Sequence, residues 1–187
     1  MEFFTEVTEG QRAFIAKQPV FFVATAAADA RINLSPKGMD SLRVLSPSQI
    51  GYLDVGGSGN ETHAHLSADG RITIMMCAFD RPALILRIYG TGRAVLPQDD
   101  EWAALHPRFT LLPGTRQIFV IDIDTIQESC GWGVPFMSFD RERQTLSKYH
   151  AADDPVARLE KIKGRTQSID GLPVRNQTIM PDWRAMP

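Results

Sequence analysis

Residues 31–66 read RINLSPKGMDSLRVLSPSQIGYLDVGGSGNETHAHL, and the fold turns on this stretch. Short apolar runs alternate with turn formers. RINLS at 31–35 breaks at Ser35-Pro36-Lys37-Gly38, while LRVL at 42–45 and IGYLDV at 50–55 flank a Ser-Pro-Ser turn. Runs this short, rich in β-branched and aromatic residues, predict consecutive antiparallel strands with short connections. Gly56-Gly57-Ser58-Gly59 interrupts the pattern, and residues 60–66 predict a short helix. Ser58 and Glu61 stand at capping-box spacing, which makes Ser58 the candidate N-cap.

The pattern continues on both sides. PVFFVATA at 19–26 predicts a strand before this stretch, and RITIMMCAF at 71–79 and ALILRIYGTGRAVL at 83–96 predict long strands after it. Gly90 and Gly92 fall on one face of the last of these, where a sheet must bend sharply to close a barrel. QIFVIDIDTI at 117–126 alternates, with Phe119, Ile121 and Ile123 opposite Asp122 and Asp124. Three helices are punctuated: one opened by the Thr8/Gln11 capping box and stopped by Pro19, a turn at 99–105, and one from Asp154-Pro155 to Gly164. In the last, Val156, Leu159 and Ile162 line one face. The order lacks the βαβα alternation of a parallel sheet. A mostly β barrel with peripheral helices, in one domain spanning 1–187, is therefore predicted. Residues 164–187 have no periodicity yet carry Ile169, Leu172, Val174, Ile179, Met180 and Trp183. Such a tail needs a surface, on this subunit or on a partner.

Composition removes several functions. With 20 Lys+Arg against 22 Asp+Glu, the chain has no basic excess to neutralise a phosphate backbone, so no nucleic-acid partner is expected. Nothing approaches the roughly 18 unbroken apolar residues of a membrane span. MEFFTEVTEG lacks the basic and apolar regions of a secretory signal, and Cys77 and Cys130 read as reduced thiols; a cytoplasmic location is the expectation.

Lys37 and Arg43 precede a Gly/Ser-rich turn that opens onto a helix. Unpaired amides at a helix start, joined by charged side chains, can hold a phosphate monoester. The alternative is a cap and a tight turn with no ligand. The dinucleotide fingerprint and the P-loop both fail here. His63 and His65 are two apart, which on a helix points them to opposite sides; no metal is expected, and one of the two is expected to face a pocket or solvent. Cys77 lies in an apolar strand. Trp132, between Gly131 and Gly133, is free to stack on a flat heteroaromatic ligand or to plug the core. Lys161, Lys163 and Arg165 are accounted for by the dipole of the helix they end.

Taken together, SPKG, LRVL, GSGNET, CGWGVP at 130–135 and SIDGLP at 168–173 resemble the FMN-binding split-barrel superfamily, the pyridoxamine 5′-phosphate oxidase-related proteins. The resemblance covers residues 19–95 and resumes at the last two motifs. It implies a six-stranded antiparallel split barrel, a homodimer, and FMN at the subunit interface. By the same resemblance, Ser35 and Lys37 contact the flavin, Ser58, Asn60, Glu61 and Thr62 lie near its phosphate, and Trp132 reaches over from the partner chain. Arg43 is a second phosphate candidate on charge grounds. The tail would then wrap the other protomer. GNET is less basic than the Ser-Arg-Lys grip of authentic pyridoxamine phosphate oxidases, and their basic carboxyl-terminal pattern is absent near 181–187. The implied function is an FMN-dependent oxidoreductase with no identified catalytic residue. The alternatives are a non-enzymatic flavin-binding or stress protein, a deazaflavin enzyme, or a haem-binding split barrel using His63, His65 or His106.

Overall fold

A computed structural model describes residues 1–184. Its eight strands are β1 Glu2–Phe4, β2 Phe21–Thr25, β3 Asn33–Lys37, β4 Leu42–Ser46, β5 Gln49–Val55, β6 Arg71–Cys77, β7 Leu84–Val95 and β8 Thr115–Cys130. Five α-helices accompany them: α1 Glu9–Lys17, α2 Glu61–Ala68, α3 Trp102–Leu105, α4 Thr145–Ala151 and α5 Pro155–Lys163. Every strand pairing is antiparallel, in the order β3-β2-β6-β7-β8-β5-β4, with β1 added along β8.

The sheet rolls up because its apolar positions need a common interior. Phe21 of β2 and Tyr52 of β5 lie four places apart in the strand order, yet their rings meet edge-to-face at 5.6 Å. Val23, Ile74, Met76, Ile88 and Ile121 fill the space between, and α1 closes it with Phe14 and Ile15. The curl tightens at a β-bulge between Tyr89 and Gly90, where any side chain would collide with the Asp122 carbonyl. A second core forms on the other face, where Leu53, Ile118 and Val120 are covered by Trp102, Phe109 and Leu111. With both faces covered, β5 is apolar almost throughout rather than alternating.

The mostly β architecture agrees with the sequence; several details differ. There are eight strands rather than six, in part because three N-terminal residues too short to show a period pair with β8, Phe4 opposite Ile126. The third strand runs through Pro36 and Lys37 instead of breaking at Ser35. Proline is tolerated there because β3 is a sheet edge. Helix α4 has no counterpart in the sequence pattern. In α5, Asp154 caps the Ala157 amide at 2.9 Å as expected, but Val156 is exposed and the buried residue is Arg158.

The described part of the tail lies on its own chain, where the barrel offers it local partners. Val174 and Gln177 are buried, and Trp183 packs on the second core. Arg175 forms an ion pair with Asp99 at 2.7 Å. Residues 185–187 lie outside the described residues.

Candidate functional site

Period-two alternation places Asn33, Ser35 and Lys37 on one face of β3. That face lines a 230 Å³ groove with the Gly57–Gly59 turn, the start of α2 and Arg116. Its floor is Asp54, a carboxylate that is 2% exposed near the C-terminal end of apolar β5. Lys37 Nζ stands 3.3 Å from Asp54 Oδ1, Arg116 Nη2 2.7 Å from Oδ2, and Gln117 Nε2 donates to Oδ2 at 2.9 Å. Burial alone would push this carboxyl up. The Arg116 guanidinium, the Lys37 ammonium and the donated hydrogen bonds hold it below its ordinary value instead. Two cations around one ionised carboxylate leave this cluster with one positive charge in excess, set against the Glu61 carboxylate elsewhere in the groove lining.

Helix α2 begins at this groove without a side-chain cap. Asn60 occupies the N-cap position, but its Oδ1 accepts from Gln117 Nε2 at 2.8 Å, so its side chain faces β8 rather than its own helix. Asn60 Nδ2 is buried and has no partner. The expected Ser58 cap does not form, since Asn60 takes that place. The donors at the helix start therefore remain available to an anion.

The other candidates divide. Thr62 is buried, and its Oγ1 accepts from Asn33 Nδ2 at 3.1 Å, tying α2 to β3. Glu61 lines the groove, but its carboxylate turns away and accepts from the Ile169 amide at 3.2 Å. That contact sets the direction of the carboxylate and leaves its charge in place. Arg43 is not brought to the groove: β4 is the opposite sheet edge, and the guanidinium is taken by Asp40 at 2.8 Å. Trp132 is 86% exposed and lines a separate 690 Å³ cavity with Phe136 and Pro135.

Neither histidine of the HAH motif faces a pocket or solvent, contrary to expectation. His63 Nδ1 lies 2.8 Å from Gln117 Oε1, and its Nε2 accepts from the Arg175 amide at 3.2 Å. His65 Nδ1 bonds Thr25 Oγ1 at 3.1 Å from the other side of the helix. Burial lowers the His63 pKa, with the Arg175 and Arg116 charges acting in the same direction. The ring is thus held neutral, donating through Nδ1–H and accepting through Nε2.

Sequence reading missed Asp54, Arg116 and Gln117. A lone acid inside IGYLDV was the available signal for Asp54, since a buried strand keeps a charge only with partners. It also missed a second, 820 Å³ cavity across the Gly56–Glu61 loop, under α4 and α5. There His150 Nε2 donates to the Gly56 carbonyl at 2.7 Å, and Arg158 Nη2 to the Gly114 carbonyl at 3.0 Å. Among the described residues no helix is long and apolar enough to cross a membrane, and no group of three or more His, Cys, Asp or Glu could hold a metal.

The fold and the groove together define an antiparallel split barrel with a buried Lys37–Asp54–Arg116 cluster beside a Gly/Ser-rich turn. The chain belongs to the pyridoxamine 5′-phosphate oxidase family, whose sequence pattern matches residues 7–130. A relative from Aspergillus flavus, the pyridoxamine 5′-phosphate oxidase family protein ustO, is 35% identical over 192 residues, covering 91% of this chain and 76% of its own. Two crystal structures share the fold. HupZ from Group A Streptococcus superposes with a TM-score of 0.52 at 20% identity, covering 71% of this chain and 99% of its own. A Lactobacillus delbrueckii protein provisionally assigned as a pyridoxamine 5′-phosphate oxidase gives 0.53 at 20% identity, covering 66% and 95%.

Proposed function

We propose that this protein is an FMN-dependent oxidoreductase whose β3 groove holds the flavin phosphate. The observation that carries this reading is the convergence of Lys37 and Arg116 on Asp54 at the uncapped start of α2. A phosphate there pairs with both cations and gives Asn60 Nδ2 the acceptor that the described residues do not provide. Ser35, Ser58 and Thr62 add hydroxyl groups along the same wall. When bound, the flavin supplies the hydride-transfer chemistry. The chain's residues bind and orient it: Lys37 and Arg116 attract the phosphate, Asp54 keeps both cations in register, and Gln117 fixes Asp54 and Asn60 relative to each other.

A flavin is favoured over haem at this groove because none of His63, His65 and His106 lines it. We further propose a homodimer with the groove at its interface. Ile32 and Leu34, on and beside edge strand β3, are 79% and 66% exposed, and Trp132 is free to reach a second copy. Two free thiols, Cys77 and Cys130, suit a reducing compartment such as the cytoplasm.

Fluorescence titration with FMN tests the reading. Lys37→Ala is expected to weaken binding by about 1.5–3 kcal/mol, the range for a hydrogen bond to a charged group, or roughly 10- to 150-fold. Unchanged affinity in a folded variant removes Lys37 from the site. Sedimentation of the flavin-loaded protein as a monomer removes the dimer.

A further inference from the structure

The 820 Å³ cavity under α4 and α5 is large enough for a small organic molecule, whereas the β3 groove is not large enough for more than part of one. The two share Gly57 through Glu61 and Arg116, so they are separated only by that loop. The larger cavity has a polar end and an apolar side. Its lining sets four cations, Arg116, Arg158, Lys161 and Arg165, against two carboxylates, Glu61 and Asp153.

The acids are already occupied. Glu61 accepts from the Ile169 amide, and Asp153 lies 3.8 Å from Arg158. Two of the cations are not. Arg165 donates only to the carbonyls of Gly57 and Ser58, and among the described residues Lys161 has no carboxylate partner. The apolar side is Leu146, Tyr149, Ile162 and Ile169, with the Tyr149 ring more than half exposed. Dipole complementation of α5 accounts for Lys161 and Lys163, but not for the assembly of Lys161 with Arg158, Arg165 and an aromatic ring around one cavity.

The positions are built rather than accidental. Arg158 is 6% exposed, and its guanidinium is held by the Gly114 carbonyl and by His150. Gly56 and Gly114 permit this: a side chain on Gly56 would strike the guanidinium, and one on Gly114 would strike the His150 ring. Burial, together with the neighbouring Arg158 charge, lowers the His150 pKa, so His150 contributes no further charge.

We propose that this cavity binds an organic carboxylate with an apolar or aromatic body, its anion against Lys161 and Arg165 and its body against Tyr149 and Leu146. Its role as the substrate pocket rests on the flavin reading above; the binding itself does not. Inorganic phosphate lacks the body that the apolar wall would cover, and a neutral amide lacks the charge.

Calorimetric titration of the full chain with phenylacetate, phenylacetamide and inorganic phosphate tests the assignment. Saturable phenylacetate binding is expected at millimolar concentration or below, weakened about tenfold in the amide and in Lys161→Met, the scale of one charge-assisted contact. Tyr149→Ala is expected to weaken phenylacetate and leave phosphate unaffected. FMN affinity is expected to be the same in Lys161→Met as in the wild type, which separates this cavity from the groove. Phenylacetate binding by a protein that fails to bind FMN supports the cavity while removing the cofactor reading. No saturable phenylacetate binding, equal binding of the amide, or displacement by an equal concentration of phosphate overturns the proposal. So does a loss of FMN affinity in Lys161→Met.

Discussion

The groove along β3 and the cavity beneath α4 and α5 meet at the same loop, yet they are held in different ways. The groove's charged residues sit on strands whose register is fixed by continuous backbone pairing: Lys37 opposite Phe21, Asp54 opposite Gln117. The cavity's residues sit on short helices and an irregular tail, attached through a few side-chain contacts to Gly56, Gly114, Glu61 and Asp99. A strand ladder fixes charges as a by-product of making the core. A docked cover must be fixed by specific contacts, and can come away without unfolding the barrel.

The largest effect expected from breaking this contrast lies in the groove. Asp54→Ala leaves Lys37, Arg116 and Gln117 without their shared acceptor, and a loss of about 3–5 kcal/mol in global stability is expected, the range for stripping one partner from a buried ion pair. Calorimetric unfolding measures it; a loss below about 1 kcal/mol would mean that water already satisfies these groups. In the cover, Arg158→Met removes the donor to Gly114 and the partner of His150. About 1–3 kcal/mol is expected, read as faster hydrogen exchange confined to α4, α5 and the tail. Exchange that rises equally in β5 and β8 would show that cover and barrel open together.

All three shifts are downward, and acid separates the two regions by the pH range in which each loses stability. His63 and His150 are held neutral, with folded values below 6.5. Above 6.5 both rings are neutral whether the chain is folded or unfolded, so stability there does not depend on them. As pH falls below 6.5 the unfolded chain gains protons that the folded chain refuses, and stability falls. Protonation also costs His63 its acceptance from the Arg175 amide, so proteolytic nicking within 164–184 is expected to accelerate as pH falls below 6.5. Asp54 acts lower: its depressed value contributes stability that persists down to 3.8 and is lost as pH falls further. Nicking that first speeds up only below about pH 4 would contradict this order. The smallest effect belongs to Arg43→Ala. Its pair with the 84%-exposed Asp40 is worth about 0–1 kcal/mol, and FMN affinity is expected not to change.

The same contrast governs what could be read in the sequence. Alternation and turn residues made the strands legible because each strand carries its own period: Gly90, Gly92 and the Phe119/Ile121 face all took the places expected of them. The Thr8/Gln11 capping box formed for the same reason, being complete within one turn of chain. Groove residues from β3 and the Gly56–Glu61 loop were legible as a cation followed by a turn. Asp54 and Arg116 were not, since their meaning comes only from the β5–β8 register that sets them side by side. Arg43 misled because charge says nothing about which sheet edge carries it. Least legible was the cover. The contacts of His150 with Gly56 and of Arg165 with Gly57 span 94 and 108 residues, and no local pattern encodes either.

Recognition of a phosphate by the Lys37–Asp54–Arg116 cluster is tested most directly by comparing FMN with riboflavin, which lacks one. The wild-type protein is expected to prefer FMN by at least about tenfold. Lys37→Ala is expected to reduce that preference sharply while leaving riboflavin affinity as it was. Equal affinity for the two ligands in the wild type, or a Lys37→Ala variant that keeps the full preference, would contradict the account.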